Sequence, residues 1–396
     1  MSQRIVNSIT AALVDKQGVD LINGEDDFID MFTITGGSLT YDQNTETKVS
    51  GQLDVSTVAF YVTADTFSDI ILRTYVRIYI NSEKLGRRKL IATMLPSVKD
   101  IEDNKGYLYS GSLELKSTIA ALTENQVRKT SLKKGTNIYK KFCQYAKNYA
   151  CEGLTTVVTN IGNEKKNLTF KKNKVFQSGT TVYEIMNYMA GLMGAYITVN
   201  AKGQLYLKLK NGSINRHKFD AFRFKDSNKL CMNSSLTITD NGNPINRMIA
   251  TFEKTENKTT TRHYSQPVIL SADNSYSKRN LGRNITQVIK VNEEELKDEG
   301  AKLSSAASIK SKLTSIAKRE LLEAAEQNYS YTFKCPYVDE ITLRDKCNIT
   351  LQADYIYGAR ISAYDIDLGN GCEMTITCNS SYKPKVKSQT GTAAKL

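Results

Sequence analysis

The 396-residue chain has no tryptophan, five prolines and two histidines. No segment supplies the roughly 18 or more uninterrupted apolar residues that a membrane-spanning helix needs. The stretch from Val175 comes closest, but Glu184 and Asn187 interrupt it. The opening "MSQRIVNSITAALV" has one arginine and a short apolar run broken by Asn7 and Ser8, so no signal peptide is expected. Neither feature favours stable membrane insertion. The seven cysteines are Cys143, Cys151, Cys231, Cys335, Cys347, Cys372 and Cys378. No two have the C-x-x-C spacing of zinc or redox motifs. They fit buried thiols of a protein folded in a reducing cytoplasm, although the crowding of the last four leaves a disulfide among them open.

Catalytic signatures are missing as well. The chain has no G-x-S-x-G, H-E-x-x-H, phosphate-binding loop or dinucleotide fingerprint, and no D-x-[DN]-x-[DN]-G calcium loop. In "RHKFD" His217 stands three residues before Asp220, and on a strand that spacing points the two to opposite faces. His263 has no such neighbour. The nearest carboxylate clusters are "EDD" at Glu25 and "DIDL" at Asp365. Both read as strand or loop surface, and a glycosidase-type pair about 5–9.5 Å apart is set by the fold rather than by spacing. No catalytic, cofactor-binding or metal-binding residue is assigned, and no cofactor is expected.

What the sequence does have is a formal net charge of +13 and 22 tyrosines. The basic residues are scattered, with small knots at "GRRKL" (Gly86) and "FKKNK" (Phe170). No zinc-finger, helix-turn-helix or RNA-recognition signature accompanies them. The surplus therefore points to a solvated basic surface or an acidic protein partner rather than a specific nucleic-acid site.

Length allows two to four domains, and alternating segments rich in Thr, Tyr and Val dominate. Residues 1–130 read as a first β-barrel or sandwich, with strands in "GSLTYDQNTETKVSGQLDVS", "DIILRTYVRIYIN", "LIATMLPSVKDI" and "GYLYSGSLELKS". A short helix from about Thr118 to Asn125 closes it. Residues 131–210 read as a small α/β domain. There Thr181 and Glu184 form a capping box, and Val182, Ile185, Met186, Met189, Leu192 and Met193 make one helical face. Gly194 stops that helix, and "AYITVN", "AKG" and "QLYLKLK" make a hairpin with Leu205, Leu207 and Leu209 on one side. An earlier copy begins "GTNIY" at Gly135, with the face Ile138, Phe142, Tyr145, Ala146 and Tyr149, a stop at Gly153 and the strand "LTTVVTN".

Residues 211–292 read as a further β domain and 293–328 as a helical segment in two pieces around Gly300. The apolar face of the later piece is Ile309, Leu313, Ile316, Ala317, Leu321 and Ala324. Residues 329–385 form the final β part, and 386–396 a flexible tail without apolar anchors. The fold class is α+β, mainly β.

This order of parts resembles the baseplate hub proteins of phage tails, the hub region of tail-associated proteins in phages of Gram-positive bacteria, and the spike proteins of type VI secretion. The resemblance rests on "LTYDQNTETKVSGQLDV", "RTYVRIYI" and "GYLYSGSLELKSTIAAL" as a first hub barrel. It extends to "SGTTVYEIMNYMAGLMGAYITVNAKGQLYLK" as the hub helix with its hairpin, and to "YSYTFKCPYVDEITLRDKCNITL" and "ARISAYDIDLGNGCEMTITC" as the final barrel. Many relatives carry a Leu-x-x-Gly-Asp turn where this chain has Leu343-Arg344-Asp345.

The resemblance implies two tube-like β domains per chain and a homotrimer whose six domains adapt a sixfold tail tube to a threefold spike or fibre. It implies no catalysis and a place in the virion tail tip, after synthesis in the host bacterial cytoplasm. The implied partners are a tail-tube or distal tail protein, a tape-measure protein, and a spike, receptor-binding or lytic protein, with genome DNA passing through transiently. The α/β domain is expected to brace neighbouring subunits or hold peripheral proteins. Two other functions are set beside this one: a peptidoglycan hydrolase of the tail, and a carbohydrate-binding receptor protein suggested by the tyrosines.

Overall fold

The structure is a computed structural model that describes residues 8–14, 33–56, 74–81, 89–104, 108–210, 216–220, 229–230, 232–241, 244–256, 259–338, 341–350, 354–369, 372–380 and 385–386. It is an α+β fold, mainly β. The first unit holds β1 (Ser8–Val14), β2 (Thr33–Asp42), β3 (Val49–Ser56), β4 (Tyr75–Asn81), β5 (Lys89–Asn104) and β6 (Leu108–Ser117). Period-2 patterning places one face of each strand inside: Val76, Ile78 and Ile80 of β4 meet Leu39, Leu53, Leu113 and Leu115 in one core. Burying each such Leu, Ile or Val contributes about 1.5–3 kcal/mol. Helix α1 (Ala120–Glu124) follows β6.

The α/β unit comprises β7 (Thr130–Leu132), α2 (Ile138–Tyr149), β8 (Val158–Thr159), α3 (Asn163–Lys166), β9 (Lys174–Phe176), α4 (Val182–Leu192), β10 (Ala195–Val199) and β11 (Leu205–Leu209). The capping box forms: Glu184 N donates to Thr181 Oγ1 at 3.1 Å, and Thr181 N to Glu184 Oε2 at 2.7 Å. The earlier copy starts with Asn137, whose Oδ1 accepts from Lys140 N at 2.8 Å. Val182, Ile185, Met186, Met189 and Met193 are buried against α1, α2 and β10, so the methionine stripe is core. The strand expected in "LTTVVTN" shortens to β8, which pairs in parallel with β11.

The second β unit begins with β12 (Arg216–Asp220), β13 (Lys229–Leu230) and β14 (Met232–Asp240). A layer of its own then intervenes. It holds β15 (Arg247–Glu256), β16 (Thr259–Tyr264), β17 (Val268–Ile269), α5 (Lys278–Leu281), β18 (Thr286–Lys290), α6 (Glu293–Asp298) and α7 (Ala306–Glu326). The β unit resumes with β19 (Tyr329–Cys335), β20 (Lys346–Thr350), β21 (Asp354–Asp367), β22 (Met374–Ser380) and β23 (Lys385–Val386). The expected 211–292 segment is thus divided: its first strands join the final barrel, and its later ones form a separate sheet. Helix α7 lies on that sheet through Ile309, Leu313, Ile316, Ala317 and Leu321. Ala325, rather than the expected Ala324, completes the buried face, because a helical stripe continues from Leu321 by four residues.

Numbered by their order in the chain, the six main strands of each β unit lie side by side in one sequence. In the first unit the path is β1-β4-β5-β6-β3-β2, and in the second it is β12-β20-β21-β22-β19-β14. Both read first, fourth, fifth, sixth, third, second. Every neighbouring pair is antiparallel in both units except β12 with β20, which is parallel. The hairpin joining the second and third strands is closed by Gln43–Lys48 in the first unit, whereas the 241–328 layer is inserted there in the second. The two units share one sheet, because β2 pairs antiparallel with β21 from Ser38↔Asp367 to Asp42↔Ala363. Of the expected tail, Val386 pairs with Asp354 through β23, and the remainder lies outside the described residues.

Candidate functional site at the three-way junction

The β10–β11 hairpin stands between the two β units and is fixed to both. Its turn docks on the first unit: Thr93 Oγ1 donates to Ala201 O at 2.8 Å, and the buried Thr118 Oγ1 to Gly203 O at 2.7 Å. Gly203 has φ +76, and a Cβ there would lie 3.1 Å from atoms of Leu154, Thr118 and Thr93. The turn therefore requires glycine both for its left-handed backbone and for the close approach.

The hairpin's far end meets the second unit at the turn Ile341–Asp345. Tyr196 OH donates to Leu343 O at 3.2 Å, and Lys208 Nζ donates to Thr342 Oγ1. Asp345, only 1% exposed, gathers the groups around it. Its Oδ2 accepts from Thr342 N at 3.0 Å and lies 3.0 Å from His217 Nε2, while its Oδ1 is 3.7 Å from Lys208 Nζ. Burial pulls the Lys208 ammonium below the ordinary lysine range, and Asp345 acts in the opposite sense. The network joins the α/β unit (β11), the first strand of the second unit (β12) and the turn before β20. Arg344 takes the left-handed φ of +70, a conformation that glycine adopts more readily. Its guanidinium carbon lies 5.9 Å from the Tyr196 ring centre.

Along the joint of the two units, Thr40 Oγ1 donates to Asp365 Oδ1 at 2.6 Å, and Tyr41 stacks on Tyr364 with ring centres 4.4 Å apart. Burial pushes both phenols, and Tyr196, well above the ordinary tyrosine value. A cavity of about 280 Å³ lies where the three units meet, bordered by Tyr41, Ile91, Tyr196, Lys208, Leu343 and Tyr364.

This arrangement is a clamp. His217 and Asp345 are enclosed on all sides, at 3% and 1% exposure, so the imidazole and carboxylate are closed to a substrate. Asp345 sets its charge against Lys208 and accepts from the turn while bonded to His217, which fixes how the hairpin sits on the second unit. Among the described residues no group of three or more His, Cys, Asp or Glu is placed to hold a metal ion.

Sequence reasoning put His217 and Asp220 on opposite faces of a strand and gave His217 no partner; the structure pairs it with Asp345, 128 residues away. The legible signal was the turn "ITLRD", whose Asp345 carries the network. His263 stacks on Phe252 in the inserted sheet, with ring centres 6.2 Å apart. Asp365 serves the joint, and the Glu25 cluster lies outside the described residues. The six described cysteines are thiols; burial pushes Cys372 up to about 12. Within the chain, the hairpin of the α/β unit is hydrogen-bonded to both β units.

No known protein-family profile matches the chain, and no curated protein does. Solved structures do. The tail protein from Neisseria meningitidis MC58 superposes with a TM-score of 0.59 at 9% identity, over 94% of this chain and 97% of that one. The 43 kDa tail protein of prophage MuSo2 from Shewanella oneidensis gives 0.58 at 10% identity, over 94% and 99%. The E. coli c3393 protein, a type VI secretion component described as structurally similar to the T4 tail proteins gp27 and gp5, gives 0.51 at 8% identity, over 90% and 76%. The chain thus shares its fold with these phage tail proteins and this type VI secretion component.

Proposed function

We propose that the chain is the structural hub of a phage baseplate or tail tip. Three copies form a ring whose six β units match the sixfold end of a tail tube, leaving a threefold face for a spike or fibre and a central passage for DNA. The observation that carries this reading is the strand path first, fourth, fifth, sixth, third, second, which occurs twice in one polypeptide. A chain with two like units needs three copies to present six. The junction clamp suits such an adaptor, because the angle between the two units sets whether a ring closes. The +13 charge complements acidic faces of tube, tape-measure or spike proteins. The role is mechanical and non-catalytic, in the tail tip of the virion.

Native mass measurement of the purified chain, followed by cosedimentation with tail tubes, tests the reading. A trimer that joins tubes is expected. A chain that stays monomeric and never joins tubes contradicts it, and so does release of fragments from purified peptidoglycan.

A further inference from the structure

The repeated strand order also locates the contact between copies. Within the chain the second strand of one unit, β2, pairs with the fifth strand of the other, β21. It uses the stretch Ala363–Asp367, beyond the part of β21 that pairs with β20. The fifth strand of the first unit has the same build. Strand β5 pairs with β4 only over Lys89–Met94, and from Leu95 to Asn104 it pairs with β6 on one edge. Among the described residues, no strand covers the other edge of that half. Pro96 stands at its start, and proline in a strand is tolerated where an edge is open.

The second strand of the second unit supplies the counterpart. Among the described residues, strand β14 pairs with β19 alone. Its Ser235-Leu236-Thr237 repeats the Ser38-Leu39-Thr40 of β2, which sets Ile238 at the place of Tyr41. The burial of the two segments differs. Leu39 is buried and Thr40, Tyr41 and Asp42 are half-covered, whereas Thr237 to Asp240 are all exposed. Ile238, at the place of the stacked Tyr41, is 45% exposed. An edge strand with an exposed isoleucine is a template for strand addition.

We propose that β14 of one copy pairs antiparallel with the Leu95–Asn104 half of β5 in the next copy, repeating between chains the β2–β21 joint within each. Around a ring the two joints alternate, within a chain and then between chains. The contact is head-to-tail, which closes after a whole number of copies. This inference rests on the hub reading above, which sets that number at three.

The test is photocross-linking in the full-length chain, with a benzophenone amino acid in place of Ile238 and mass-spectrometric mapping of the product. Intermolecular cross-links to residues 95–104 are expected. The companion variant Ile238→Lys changes an exposed side chain. It is expected to keep the wild-type far-UV circular dichroism spectrum while weakening self-association about tenfold or more, as a charge on an edge strand does. Trimers whose cross-links map elsewhere, or that Ile238→Lys leaves unchanged, overturn this joint and leave the hub reading standing. A chain that never self-associates overturns both.

Discussion

Replacing Asp345 tests the clamp directly. The carboxylate faces a Lys208 side chain that is 14% exposed, and it accepts hydrogen bonds from Thr342 N and the enclosed His217. Asp345→Ala leaves an ammonium without its counter-charge and two donors without an acceptor. Removing one member of a buried ion pair costs about 3–5 kcal/mol, and the lost hydrogen bonds are contained in that figure rather than added to it. Adding Lys208→Met removes the stranded charge, so the double variant should recover more than half of the loss. The coupling between the two sites should be about 2 kcal/mol. The assay is urea unfolding of the four proteins of the cycle, followed by circular dichroism.

The pH dependence has a definite sign. Lys208 has a folded proton affinity below its unfolded one, so the unfolded chain binds the extra proton. Stability then rises with pH from the lowered folded value up to about 10.4. Asp345→Asn removes the group that opposes this lowering, and its deficit should shrink as the pH climbs through that window. An Asp345→Ala chain within about 0.5 kcal/mol of wild type, or a Lys208→Met change that adds to the loss, refutes the reasoning.

Three further outcomes are expected. Gly203→Ala should loosen the hairpin from the first unit and cost about 1–2 kcal/mol for the left-handed backbone alone, seen as a lowered unfolding midpoint; an unchanged midpoint contradicts the docking. Gly37→Ala places a Cβ 2.3 Å from Gln52 O at φ +127. It should cost about 2 kcal/mol or more, whereas Gly162→Ala, with nothing within 4 Å, should be near neutral. The tyrosines should titrate in two classes. Burial pushes Tyr139 and Tyr183 to about 12, and Tyr41, Tyr75, Tyr196, Tyr276, Tyr331 and Tyr364 further still. Their contribution is complete below pH about 10 and is lost as the pH rises above it. Tyrosinate absorbance, free of tryptophan in this chain, should therefore show a late step coincident with unfolding; one smooth transition near pH 10 contradicts it.

What could be read in advance was local. The capping box at Thr181 and Glu184, the stripe from Val182 to Met193 and the break at Gly300 are set by neighbours within a few residues. So is the alternation of β4 and β22, and all of these appear as expected. Non-local pairing was not legible. Nothing in "RHKFD" points to Asp345, because that contact depends on β12 lying beside β20. The 241–328 insertion hid the likeness of the two β units by separating strands that are hydrogen-bonded neighbours. Arg344 shows the converse, since a missing glycine did not remove the turn that glycine usually marks.

Imaging of the purified assembly along its axis bears most directly on the central claim. The account predicts a ring of six β units made by three chains, near-sixfold on the tube side and threefold on the other. A particle with any other number of chains, or with only one unit of each chain in the ring, contradicts it.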